Sequence, residues 1–280
     1  MDNCIRTRQR DTERTNLGRF ILEGICTGLT TTRNEILQLC SLLLFESKSD
    51  CLNRCDVAID SLHTNSFICS DGEQLQPTQL ARAAIASSLP PEAALAIFKD
   101  LNVASRAIAL DTELHMLYLV TPINVSVWQE CDWHHLFALF SKLPPDHRRI
   151  AKLVGASEKF ILERMGGGRN ETQLQVHTRF FSALALFDLI NEMSIYEVSH
   201  KYRISRGCLQ TLQSQSATYA AMIVAFCLRL GWTYLKALLD GFAARLMFGI
   251  RSELSELVQI DGIDGQRDFA FFRWRTWGQF

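Results

Sequence analysis

Two stretches of the chain, IAKLVGASEKFILERM (150–165) and VSHKYRISRGCLQTLQ (198–213), repeat one pattern in register, with Ser157 aligned on Ser205. Each reads as a short helix, a tight turn (Gly155-Ala156 in the first), and a serine whose hydroxyl can cap the helix that follows. This is helix-turn-helix grammar. It fits both a DNA-contacting unit and a packed pair of helices at a corner.

Working outward from the pair, nearly everything beyond Pro90-Pro91 reads as helix. The apolar periodicity predicts segments over Glu92–Leu101, Thr112–Val120, Trp133–Leu143, Asp146–Leu153, Ser157–Met165, Thr172–Glu192, Ile195–Tyr202, Arg206–Leu230 and Thr233–Val258. The connections are short and carry Pro122, Pro144-Pro145, Gly166-Gly167-Gly168 and Gly231. An all-helical domain over 89–259 follows. Upstream, Phe20, Ile21, Ile25 and Leu29 predict one short helix. Asn34–Phe45 reads as a second, with Ile36, Leu37, Leu39, Cys40 and Leu43 inward. A third runs over Asp56–Asn65, on a stripe of Val57, Ile59 and Leu62. Phe67 to Pro77 then turns about Asp71-Gly72, a hairpin signal. Three helices and a hairpin give the order of a winged-helix domain over 17–88, or of another small α+β cap. Residues 1–16 are polar and Arg-rich and read as a disordered leader. The expected fold class is therefore mainly α, a winged helix followed by an all-helical domain.

With 280 residues, 48% hydrophobic and 21% charged, the chain can bury a substantial core. Its formal net charge of -1 gives no global positive field, so any nucleic-acid binding must rest on local patches. Nine cysteines show no metal-binding spacing: Cys51 and Cys55 form a C-x3-C pair with no second pair, and the odd count argues against a disulfide framework. The apolar run Ala217–Leu228 is too short to cross a bilayer.

Catalytic signatures are missing. There is no Gly-Lys dipeptide, hence no phosphate loop of the G-x-x-x-x-G-K type, and no G-x-G-x-x-G or G-x-S-x-G. His134 and His135 are adjacent and face different sides of a helix. Asp111 and Glu113, beside His115, suit a helix start, where carboxylates offset the dipole. No metal and no catalytic residue are expected.

The residues LPPEAALAIFKDL (89–101) and LDTELHMLYLVTP (110–122) resemble the helicase-like region of the DNA polymerase theta family, and the helicases related to it. The likeness continues through Asp132-Trp133, Lys142 to Pro144, Lys152 to Gly155, Arg179 to Leu184, Arg206-Gly207, Tyr219 to Met222, Arg229 to Trp232 and Phe248 to Val258. It covers about residues 17–267. In that family two RecA-like motor domains hydrolyse ATP, and a winged helix, a helical ratchet domain and a helix-hairpin-helix follow. The resemblance implies that Arg206–Leu230 is the ratchet helix, lying across single-stranded DNA. Its polar face would carry Gln210, Gln213, Ser214 and Ala217, with Tyr219 or Arg206 able to stack on or pair with a strand. Phosphate contacts would come from Lys201, Arg203 and Arg206, with Arg148, Arg149 and Lys152 as a further set. The expected partners are single-stranded DNA and the motor domains, in the nucleus and without a membrane. ATP and Mg would belong to the motor domains, leaving no cofactor and no enzymatic activity in this chain. Residues 260–267 match the start of a helix-hairpin-helix, and 268–280 form an unrelated aromatic tail. A free-standing winged-helix regulator and a purely structural interaction module are the alternatives.

Overall fold

The computed structural model describes residues 16–43, 48–106, 112–123, 131–168 and 173–248. Thirteen helices and one two-stranded hairpin occur among them, so the fold is mainly α. Residues 1–15 of the leader, the helix-hairpin-helix start and the aromatic tail lie outside the described residues, as does Asp111, while residue 16 already belongs to a helix. The chain divides into two compact units. One comprises the described residues up to Val103 together with Met222–Lys236; the other comprises the described residues within Ala104–Ala221 and from Ala237 to Phe248.

In the first unit, helix α1 covers 16–26 and buries Leu17, Ile21, Leu22 and Ile25. Helix α2 (Arg33–Cys40) begins at a capping box, in which Thr32 accepts from the Glu35 backbone N–H and the Glu35 carboxylate accepts from Thr32. It ends five residues earlier than the periodicity predicts, and Leu43 beyond it is 39% exposed. Helix α3 (Lys48–Thr64) buries Cys51, Cys55, Ala58, Ile59 and Leu62. Val57, expected inward, is 46% exposed, and Leu29, expected in the first helix, lies beyond its end and is 67% exposed.

Strands β1 (Ile68–Asp71) and β2 (Gln74–Pro77) pair antiparallel with Asp71 opposite Gln74, leaving Gly72-Glu73 as the two-residue loop. Gly72 sits at φ +62, a conformation such turns require and glycine adopts without strain. The chain ahead of α2 bridges to the second strand: Thr32 pairs with Gln74, and the Leu75 N–H donates to the Thr31 carbonyl at 2.7 Å. The three helices and hairpin thus occur in the order that the sequence predicts. A further helix, α4 (Gln79–Ala86), was not anticipated; Thr78 caps it. Helix α5 (Pro91–Arg106) follows the proline pair, with Pro91 at its first position, where a missing N–H costs nothing. Residues 222–236 join this unit through a stack of Trp232 on Phe98, with ring centroids 5.3 Å apart, and a hydrogen bond from Gln79 to the Arg229 carbonyl.

The second unit is built on helix α10 (Leu174–Ile190), which is buried at twelve positions including Phe180, Phe181 and Leu186. Helices α6 (Glu113–Val120), α8 (Pro145–Val154) and α11 (Ile195–Tyr202) pack against it, while α7 (Trp133–Ser141) packs on α9 (Glu158–Met165). Helix α12 (Arg206–Arg229) starts in this unit. Helix α13 (Thr233–Phe248) ends in it. A chain of rings, Trp133 edge-on to Phe160 and Phe160 stacked on His177 at 4.2 Å, ties α7, α9 and α10 together.

Candidate nucleic-acid interface

The two helix-turn-helix segments fold alike. At the first corner Gly155 is left-handed (φ 86), and at the second Arg203 is left-handed (φ 55). The next residue in each closes the same long-range turn bond, Ala156 N–H to Ala151 at 2.8 Å and Ile204 N–H to Ser199 at 3.1 Å. Ser157 then accepts from the Phe160 N–H and Ser205 from the Cys208 N–H, each three residues on. Buried apolar residues, Ala156 and Ile204, hold each turn.

The second corner is also tied to its neighbouring helices. His135 on α7 donates through Nε2 to the Lys201 carbonyl at 2.7 Å, and Arg203 pairs with Asp132, the N-cap of α7. The His135 N–H and the Arg203 guanidinium hold the Asp132 carboxyl below the usual carboxylate range. On the other side, Lys201 Nζ meets Asp188 Oδ2 at 2.7 Å, and the Tyr202 hydroxyl donates to that same oxygen at 2.7 Å. Two of the expected phosphate-binding cations, Lys201 and Arg203, are therefore held by carboxylates.

Helix α12 presents Arg206, Gln210, Ser214 and Thr218 to solvent in one row of i, i+4 steps, flanked by Gly207, Thr211 and Gln215. Gln213 is half-buried and donates to the Leu246 carbonyl at 2.6 Å. Tyr219 is half-buried with its hydroxyl inside. Ala217, expected on the exposed face, is buried at 2%, and Ser216 beside it at 0%. The exposed face shares Arg206, Gln210 and Ser214 with the expected one and extends toward Thr211, Gln215 and Thr218 instead of Gln213 and Ala217. Arg148, Arg149 and Lys152 are exposed together along α8.

Residues 91–246 match the family model described as the DNA_pol_Q helicase like region helical domain. The chain belongs to that family. Relatives of the chain include the DNA polymerase theta of Caenorhabditis elegans, 78% identical over 95% of the chain, and that of Mus musculus, 38% identical over 77%. The human protein named Helicase POLQ-like is 28% identical over 66% of the chain. The chain spans 17%, 9% and 17% of the lengths of these three relatives, so it corresponds to one part of a much larger protein in each.

Among the described residues, no group of three His, Cys, Asp or Glu is placed to hold a metal ion, and no helix is long and apolar enough to cross a membrane. Glu113, near His115 in the sequence, forms an ion pair with Arg245 at 2.9 Å. Cys51 and Cys55 are buried, and Cys40 joins them. Burial, followed by a hydrogen bond to Cys40, pushes the Cys55 thiol far up, so it stays protonated and behaves as core. Burial likewise pushes the Cys227 thiol up to about 12.

Two histidines give the second unit an acid sensitivity. His177 is wholly buried, donating through Nδ1 to the Gln173 carbonyl at 2.8 Å and accepting at Nε2 from the Ser157 N–H at 2.9 Å. His147 lies edge-on to Phe187 at 5.0 Å. Burial lowers both below the ordinary value of 6.5, so the folded state resists a proton that the unfolded chain accepts. Stability is full above about pH 6.5 and is lost as the pH falls from there toward the folded values. Urea midpoints measured at pH 7.5, 6.5 and 5.5 should drop across the last interval; a flat or rising series would contradict it.

Proposed function

We propose that this chain is the non-catalytic strand-guiding part of a polymerase-theta-type DNA-repair helicase, resting against single-stranded DNA while motor domains elsewhere in the parent protein burn ATP with Mg. The observation that carries this reading is the exposed row Arg206, Gln210, Ser214 and Thr218 on a helix of 24 residues. One cation and a run of uncharged hydrogen-bonding groups can hold a strand and release it. A dense basic row would pin it, because each phosphate contact adds a counterion-release term. The long helix gives the row a rigid backing, and the capped corner at Ser205 fixes where it begins. Such a part works in the nucleus and contributes no chemistry itself.

The test is fluorescence anisotropy with a labelled oligothymidylate and a duplex of the same length. The expected result is weak binding to the single strand that falls steeply with salt, ignores sequence and exceeds duplex binding. Arg206→Glu with Gln210→Glu should weaken it several-fold without changing the melting temperature. Tight, sequence-dependent duplex binding would replace this reading by a free-standing regulator. No binding at low salt would leave a structural module.

A further inference from the structure

The cations of α8 differ from those at the second corner in what already holds them. Lys201 and Arg203 are each ion-paired, with Asp188 and Asp132 respectively. Arg148, Arg149 and Lys152 form no ion pair with any described residue, although all three are exposed. Their spacing places them on one side of α8, Arg149 and Lys152 three apart and Arg148 and Lys152 four apart. They line a depression of about 410 Å³ whose remaining wall is apolar, from Leu143 and Pro145. Arg148 is oriented by its own bond: one guanidinium nitrogen donates to the Ser141 carbonyl at the end of α7, at 3.0 Å. That bond leaves the other guanidinium N–H groups to donate elsewhere. Asp146 is the one carboxylate on α8 and is paired with none of the three.

A concave surface with three unneutralised cations on one side and an apolar wall on the other matches a nucleotide unit. The phosphodiester is anionic, and the sugar and base present apolar faces. We infer that the α8 depression is the phosphodiester-binding subsite of this domain, holding the strand backbone on Arg148, Arg149 and Lys152, whereas Lys201 and Arg203 serve to tie the second corner to α10 and α7. The inference rests on the single-strand reading above and refines it: α12 supplies the releasing surface and α8 the electrostatic grip. Desolvating Lys201 or Arg203 toward a phosphate would first require breaking an existing pair, whereas the α8 set has no carboxylate to give up among the described residues.

The test uses the full chain and the labelled oligothymidylate, titrated from low to moderate salt. Two double variants are compared, Arg149→Gln/Lys152→Gln and Lys201→Gln/Arg203→Gln, with Arg148 left in place because it anchors α7. Arg149 and Lys152 make no hydrogen bond to another described residue, so the first variant should keep the wild-type melting temperature. Removing two backbone contacts should weaken binding about tenfold near 0.15 M salt and lower the slope of log affinity against log salt by about 1.4. The second pair should change affinity less than threefold. If the α8 variant binds like wild type with an unchanged slope while the wild type binds well, this inference is overturned and the single-strand reading stands. The same follows if Lys201→Gln/Arg203→Gln proves the more damaging in a folded protein. If the wild type binds no single strand at low salt, both fall. Should Arg149→Gln/Lys152→Gln melt early, the single Lys152→Gln gives the same decision from a slope change of about 0.7.

Discussion

Replacing Arg179 with methionine is expected to destabilise the second unit by about 3–5 kcal/mol. Arg179 is 4% exposed at the middle of α10, a position that an apolar residue would ordinarily fill. Its guanidinium donates through Nε to the Thr121 carbonyl at 2.9 Å and through a terminal nitrogen to the Leu119 carbonyl at 3.0 Å. These carbonyls belong to the last turn of α6, where the helix can no longer satisfy them itself. Leu119 and Thr121 are buried at 2% and 0%, so water cannot replace the arginine there. The guanidinium also lies over the Tyr118 ring, 4.4 Å from its centroid. Methionine keeps the volume of the stem but strands two buried acceptors at about 1–3 kcal/mol each and forfeits the ring contact. Lysine keeps the charge, yet a single ammonium lacks the planar fork that spans both carbonyls, so Arg179→Lys should recover less than half of the loss. Urea unfolding followed by far-ultraviolet circular dichroism measures this. A loss below about 1 kcal/mol for the methionine variant would mean that α6 ends are capped by other means.

Arg179 also shows what a sequence discloses and what it withholds. Its neighbours Phe180, Phe181 and Leu184 announce a buried helix, and the two helix-turn-helix corners are legible because a left-handed turn and a serine cap are local events. The hairpin is legible for the same reason: Asp71-Gly72 carries its turn in two residues. Helix α4 is illegible in the sequence because QLARAAIA buries only alanines, which give little apolar contrast. In α3 the expected stripe holds at Ile59 and Leu62 but not at Val57, because Cys51 and Cys55 share the burying there and cysteine is ambiguous by type. Along α12 small residues occupy both sides: Ser216 and Ala217 are inside, and Ser214 and Thr218 are outside. Periodicity cannot separate faces whose residues hardly differ in hydropathy. Least legible of all is which cations are already spent. Arg203 finds Asp132 from 71 residues away and Lys201 finds Asp188 from 13. A basic residue in a motif therefore says nothing of its availability until the fold is in place.

Asp188 joins that pairing to stability, and its two nearest substitutes should separate the two roles. Its Oδ2 accepts from both Lys201 Nζ and the Tyr202 hydroxyl, and its side chain is 14% exposed. Tyr202 is 3% exposed, and burial, reinforced by the Asp188 charge, pushes its hydroxyl far up, so it can act only as a donor. Asp188→Ala leaves that donor buried without its carboxylate, a loss of about 2–3 kcal/mol on the usual scale for such orphans. Asp188→Asn retains an oxygen to accept from Tyr202 and should cost about 1 kcal/mol or less. Both changes release Lys201 beside the corner where the strand is proposed to run. Stability and single-strand affinity should then move in opposite directions, with affinity rising up to threefold in each variant, the gain expected of one added phosphate contact. Melting curves paired with anisotropy at one salt concentration read both effects from the same samples. If asparagine proves as destabilising as alanine, the ion pair with Lys201, and not the tyrosine hydrogen bond, is what secures α11 to α10.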